Sequence, residues 1–335
     1  MYSIPKSKKF KNKTILITGG TGFFGKHLTN HLINNNIFKK LVIFSRDEQK
    51  HHKLVEEYKN SVVYPKLRFF MGDVRDRDRL DFAFKDCDIV IHAAAIKHVP
   101  FAEENPMECI KTNIMGAENV VHCALKNKVE RVLALSTDKA SNPINLYGAT
   151  KLCSDKIFTS AEQIKGSRKI RFSVVRYGNV SGSSGSILET LKDYNKKNKK
   201  IFSLTDKNMT RFWITVEDAL KFVLNCLDEM KGGEIFIPKL PSIRIIDLIK
   251  LFKNIKEINI VGMRAGEKLH ESMFTKDECH LILKSKNSFI ISPSSRYLKK
   301  YKSKKYQLMN EYYDYKSNLK NNFMSLKEMK NLLTD

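Results

Sequence analysis

The chain has 335 residues, 42% of them apolar, with 60 Lys and Arg against 36 Asp and Glu, a formal charge of +24. This length suits one elaborated α/β unit, and the apolar fraction is that of a globular protein. No apolar run is long enough to cross a bilayer, and the basic stretch Met1–Lys13 has no apolar signal core, so a cytoplasmic protein with no membrane partner is expected. Six scattered cysteines (Cys87, Cys109, Cys123, Cys153, Cys226, Cys279) form no C-x-x-C pair and are read as reduced, with no metal site. The positive charge lies in mixed runs such as Lys196-Lys197-Asn198-Lys199-Lys200, without Arg clusters or interleaved aromatics. That is the pattern of a solvated surface. No nucleic-acid partner is expected, although the field favours an anionic small substrate.

In chain order, the apolar run 14–18 ends in Gly19-Gly20-Thr21-Gly22-Phe23-Phe24-Gly25 and leads into a helical pattern through Leu28, Leu32 and Ile33. Strand, glycine turn and helix in that order place a helix N-terminus against a pyrophosphate, with Gly19, Gly22 and Gly25 allowing close approach. The next strand, Leu41–Phe44, ends at Ser45-Arg46-Asp47. A guanidinium there suits a 2′-phosphate and predicts NADP; Asp47 keeps NAD open. A third strand, 67–71, is followed by Asp73 and Val74, which are expected to meet the adenine, while Asp76 caps the following helix. A fourth strand, 88–92, leads to Ala93, Ala94 and Ala95, small enough to lie beside a cofactor. One long helix is expected over 102–126, with Asn113 on its cofactor side. A fifth strand, 131–136, runs into Thr137-Asp138-Lys139, and a sixth covers 170–175.

This alternation predicts an α/β fold, a Rossmann-type doubly wound parallel sheet whose ligand lies at the carboxyl ends of its strands. The expected organisation is a nucleotide-binding domain over 1–175, a smaller substrate-binding lobe over 176–293 with segments returning to the main domain, and a basic tail over 294–335 with a short helix. In the lobe, Arg211 and Arg264 are candidates either to grip a diphosphate or to form a structural ion pair.

The chemistry is expected at Thr137, Asp138 and Lys139 together with Tyr147 and Lys151. A Tyr and a Lys four residues apart share one helix face, and the ammonium then favours phenolate and makes Tyr147 a usable base. Asp138 and Lys139 form a second acid/base set, so more than one proton transfer is expected.

The stretches Thr137–Lys139, Asn142–Lys151, Arg176–Val180, Met209–Phe212, Gly266–Glu271 and His92–Pro100 resemble, within the extended short-chain dehydrogenase/reductase superfamily, the inverting UDP-N-acetylglucosamine 4,6-dehydratases of pseudaminic acid synthesis, a sugar used to glycosylate flagellin. The likeness runs over about residues 12–293. It implies UDP-N-acetylglucosamine as substrate, NADP as a tightly held cofactor, a homo-oligomer, and substrate contacts from Lys97, Asn179, Arg211, Arg264 and Glu267. It also implies that Tyr147 takes the carbon 4 hydroxyl proton, that Lys139 acts as a neutral amine on carbon 5, and that Asp138 protonates the departing carbon 6 hydroxyl. Ser184 stands where the family pattern has Arg. The rival expectations are a 4-epimerase of the same superfamily, which has no use for Asp138-Lys139, and a non-catalytic NADP-binding protein that binds nucleic acid.

Overall fold

The computed structural model describes residues 10–183, 185–301 and 303–334. Strand β1 (Thr14–Thr18) is buried along its whole length, its Ile-Leu-Ile centre flanked by two buried threonines, as a strand is when helices cover both faces of a parallel sheet. It lies between β2 (Lys40–Ser45), on whose far side is β3 (Leu67–Met71), and β4 (Ile89–His92). Then follow β5 (Arg131–Thr137) and β6 (Arg171–Tyr177), all parallel. Beyond β6 the sheet continues with Ile235–Pro238, also parallel, and then with Ser288–Ile291, Ile282–Lys284 and Gln307–Leu308 in antiparallel pairing, ten strands in all. Segments from the lobe and from the tail therefore complete the main sheet.

Helix α1 (Phe23–Asn35) follows the glycine turn. Gly25 is required by packing, because a Cβ there would lie 2.1 Å from the Gly19 carbonyl oxygen. α2 (Glu48–Tyr58) and α3 (Arg77–Phe84) start at Asp47 and Asp76, each accepting a backbone N–H three residues on, the usual cap for the unpaired amides of a first turn.

The single helix expected over 102–126 is instead four pieces: Val99–Glu104, Pro106–Ile110, a π turn at Lys111–Met115, and Gly116–Lys126. Pro106 supplies no N–H and drives Asn105 out of helical geometry (φ −127°, ψ 62°). Asn113 is buried, with its amide engaged by protein groups. Its amide pairs with the backbone N and O of Ile96 (2.9 and 3.0 Å) and with Thr150 (3.0 Å), pinning the loop after β4 to the long helix Leu146–Ile164.

A second apolar cluster contains Leu188, Leu191, Phe202, Trp213, Ile243 and Leu248, and Met329 of the tail joins it. The helix Leu326–Thr334 opens with a capping box: Ser325 N–H donates to Glu328 and Glu328 N–H to Ser325 Oγ. Met329 carries its apolar contact, Leu326 is exposed, and the side chain of Leu333 lies outside the described residues.

Candidate active site

An open cavity of about 900 Å³ lies at the carboxyl ends of β1, β4, β5 and β6. Gly19, Gly22, Phe23, Phe24 and Gly25 form one wall, with Ala93 and Ala95 beside them. The first amides of α1 have no side-chain cap, and a Cβ at Gly19 would strike Ala94 N at 2.8 Å. A wall of backbone with a thirteen-residue helix behind it fits a dinucleotide pyrophosphate. Thr18 hydroxyl and His92 Nδ1, 2.7 Å apart, brace β1 against β4 beneath it.

At the end of β2 the structure redistributes the expected contacts. Thr21 Oγ1 and Ser45 Oγ are 2.7 Å apart. Arg46 lines the cavity with its side chain 60% exposed, and Lys50, which sequence reasoning passed over, lines it too. Asp47 is occupied as the cap of α2 and by Lys50 Nζ at 2.8 Å. Asp73 accepts from Arg75 Nη2 at 2.8 Å and lies 3.5 Å from Arg46. Val74 is buried against Gly116. Neither Asp73 nor Val74 is among the residues lining the cavity.

The acid/base residues converge as the spacing predicts, but their electrostatics differ. Asn145 caps the helix that carries Tyr147 and Lys151, accepting from Gly148 N at 2.8 Å. Gly148 lets that helix meet the chain at Lys139, since a Cβ would lie 2.3 Å from the Lys139 carbonyl oxygen. Lys151 Nζ donates to the Leu135 carbonyl at 2.8 Å. Burial pushes the Tyr147 phenol up to about 12, against the pull of Lys139 and a hydrogen bond with Thr137. The expected lowering by Lys151 is not seen here: the groups that lower the phenol are Lys139 and Thr137, and desolvation outweighs both.

Lys139 also departs from expectation. Burial by itself would lower its pKa, but Asp138 and Glu271, each 3.1 Å from Nζ, hold it above its ordinary value as an ammonium. The neutral amine expected from an apolar pocket is thus opposed by two buried carboxylates. Asp138 is fully covered, and burial raises its pKa despite Lys139. Its Oδ1 meets Thr137 Oγ1 at 2.9 Å and Lys139 at 3.1 Å, so it reaches the cavity only through those two side chains, both of which line it.

Lys97 and Asn179 line the cavity, and burial lowers the Lys97 ammonium. Arg211 is turned inward, donating to the carbonyls of Thr210 (2.7 Å) and Leu269 (3.1 Å), with Glu271 at 3.9 Å. Arg264 is exposed and Glu267 accepts its backbone N–H at 3.3 Å. None of these last three lines the cavity. Ser184 lies outside the described residues. Glu271 was not assigned a role from sequence; its only signal was its place at the end of Gly266–Glu271.

An open parallel sheet with a glycine turn after its first strand and a Tyr-x-x-x-Lys helix at its carboxyl end defines an enzyme of the short-chain dehydrogenase/reductase type. The chain belongs to the family described as polysaccharide biosynthesis protein, whose model matches residues 15–293. It is 52% identical over 291 residues to the UDP-N-acetylglucosamine 4,6-dehydratase (inverting) of Campylobacter jejuni serotype O:2, covering 87% of this chain and 86% of that one. The resemblance read from the motifs is borne out. A protein named UDP-glucose 4-epimerase from Rickettsia bellii is 41% identical over 276 residues, 80% of each chain. The crystal structure of Pen from Bacillus thuringiensis superposes with a TM-score of 0.88 at 35% identity, covering 97% of this chain and 98% of that one, and carries the expected α/β fold.

Proposed function

We propose that the protein is an NADP-dependent UDP-N-acetylglucosamine 4,6-dehydratase that inverts carbon 5, the first step of pseudaminic acid synthesis. The observation that carries this reading is a second acid/base group, Asp138–Lys139, on the same cavity as Tyr147 and Lys151. The 52% identity to a dehydratase so named supports it. Arg46 and Lys50 beside the cavity, with Asp47 committed to its helix, favour a 2′-phosphate over a bare ribose.

When bound, NADP supplies a temporary place for the hydride of carbon 4, which returns to carbon 6. Tyr147 takes the proton of the carbon 4 hydroxyl, with Thr137 orienting it. The resulting ketone acidifies the carbon 5 hydrogen, which Lys139 removes. The electron pair left on carbon 5 expels the carbon 6 hydroxyl, and Asp138, whose burial favours its protonated form, supplies by way of the Thr137 hydroxyl the proton that turns it into water. A proton reaching carbon 5 from the opposite face inverts the ring. Lys97 and Asn179 contact the substrate from the cavity wall, and Arg211 supports that wall from behind.

Proton NMR of the protein with UDP-N-acetylglucosamine in deuterated water, with no added reductant, tests this. The expected result is a new methyl signal, deuterium at carbon 5 and an inverted ring. A methyl signal with the original ring refutes inversion, and an unchanged spectrum with bound NADP verified refutes the substrate. The 41% identity to a named 4-epimerase keeps one rival, which product mass separates: dehydration removes one water and epimerisation none.

A further inference from the structure

We propose that Glu271 is a positioning residue of this active site: it aims the free tetrahedral position of Lys139 Nζ into the cavity and stabilises the charge that Lys139 gains on taking a proton from substrate. The catalytic part of this inference rests on the dehydratase reading above.

Nζ lies 3.1 Å from Asp138 Oδ1 and 3.1 Å from Glu271 Oε1. With the bond to Cε and two N–H directions fixed, a tetrahedral nitrogen has one direction left. Both carboxylates are covered, at 2% exposure or less, whereas the Lys139 side chain is 21% exposed and lines the cavity. The remaining direction therefore opens on the cavity. In the ammonium it carries an N–H; in the amine it carries the lone pair. With Asp138 alone, Nζ would keep a free rotation and the lone pair no fixed aim.

Glu271 is itself held. Its N–H donates to Ser317 Oγ at 3.0 Å, its carbonyl accepts from Ser317 N at 2.9 Å, and Ser317 Oγ lies 2.7 Å from Thr210 Oγ1. The fully buried Ser317 belongs to the tail, so the tail fixes the backbone that carries this carboxylate. Arg211 and Lys268 face Glu271, and with Asp138 and Tyr147 complete the charged and titratable surroundings of Lys139. Burial by itself would raise the Glu271 carboxyl, but Lys139, then Arg211 and Lys268, keep it ionised. Its Oε2 is buried with no hydrogen-bond partner among the described residues, a cost that a purely structural residue has no reason to carry.

As the carbon 5 proton moves to the lone pair, its bonding electrons stay on the sugar as an enolate that expels the carbon 6 hydroxyl with the proton of Asp138. Positive charge then forms on Nζ, 3.1 Å from Glu271. Stabilisation that grows during the step acts on kcat. The same charge makes the resting amine scarce, so geometry and charge pull in opposite directions, and two substitutions separate them.

The test uses the holoenzyme. Acetic anhydride labelling of Lys139 across pH, read by mass spectrometry without substrate, gives its titration midpoint. Glu271→Gln keeps an acceptor and removes the charge; its midpoint is expected to fall by about one pH unit or more. Glu271→Ala removes both and is expected to lower kcat about tenfold or more with KM within about twofold, with Glu271→Asp recovering part of the loss. Equal midpoints in wild type, Glu271→Gln and Glu271→Ala would overturn the coupling. A loss expressed in KM alone would overturn the positioning role. If wild type leaves UDP-N-acetylglucosamine unchanged, the substrate reading fails, while labelling still decides whether Glu271 sets the state of Lys139.

Discussion

Lys151 Nζ donates to the carbonyl of Leu135 at 2.8 Å, tying the helix that carries Tyr147 and Lys151 to the last residues of β5. Burial lowers this ammonium against Asp155, and burial also holds the neighbouring Tyr147 phenol up to about 12. The phenolate fraction of Tyr147 therefore rises with pH through the neutral range. We expect kcat/KM for the sugar to rise from pH 6 to pH 9. Tyr147→Phe is expected to cost about 10²- to 10⁴-fold in kcat, with a melting temperature close to wild type. Because the amine fraction of Lys139 also rises with pH, the slope alone does not identify the base; a Tyr147→Phe kcat close to wild type would assign the carbon 4 base elsewhere.

Arg46 stands with Lys50 at the end of β2, where a 2′-phosphate would lie. Arg46→Ala is expected to weaken NADP binding by roughly tenfold to a hundredfold, the equivalent of about 1.4–2.8 kcal/mol. NAD binding is expected to change little, because Asp47 is engaged with α2 in either case. Calorimetric titration with both dinucleotides decides it; an equal loss for both would remove Arg46 from cofactor choice.

Gly25 meets the Gly19 carbonyl so closely that a Cβ would sit 2.1 Å from the oxygen, and no flexible side chain is there to yield. Gly25→Ala is expected to push α1 away from the glycine turn, cost about 2 kcal/mol or more in stability, and abolish retention of the dinucleotide. Thermal melting and the cofactor content of the purified protein measure the two effects.

His92 is buried beneath the cavity, and burial first, then Lys151, depresses its pKa to about 3. The unfolded chain takes up this proton below about 6.5 and the native chain does not, so the contribution of His92 is complete above that value and declines as pH falls toward about 3. The slope for one proton is about 1.4 kcal/mol per pH unit. Urea unfolding of His92→Asn, which can keep a hydrogen bond to Thr18, is expected to show a stability difference between pH 7 and pH 5 smaller than wild type by about 2 kcal/mol. An unchanged difference would mean that His92 is charged in the native protein.

Local order determined much of this protein. The short apolar run 14–18 before a glycine turn reads as a buried strand, the glycines that follow it leave room for backbone contacts that no side chain permits, and Tyr147 and Lys151 share a face because a helix turns every 3.6 residues. The break at Pro106 was also written locally, yet the π turn that swings Asn113 onto Ile96 depends on the β4 loop it meets. What only the tertiary structure decided is charge. Lys139 looked like an amine to be neutralised by its pocket; Asp138 beside it and Glu271, which arrives from a segment far along the chain whose backbone is latched by Ser317 of the tail, together hold it above its ordinary value. Arg211 looked like a diphosphate clamp, and its guanidinium is committed to carbonyls of its own lobe. A pKa or an ion pair is the sum of groups gathered within a few ångströms of one atom, and sequence spacing gives no distance between segments that meet only once the sheet has closed.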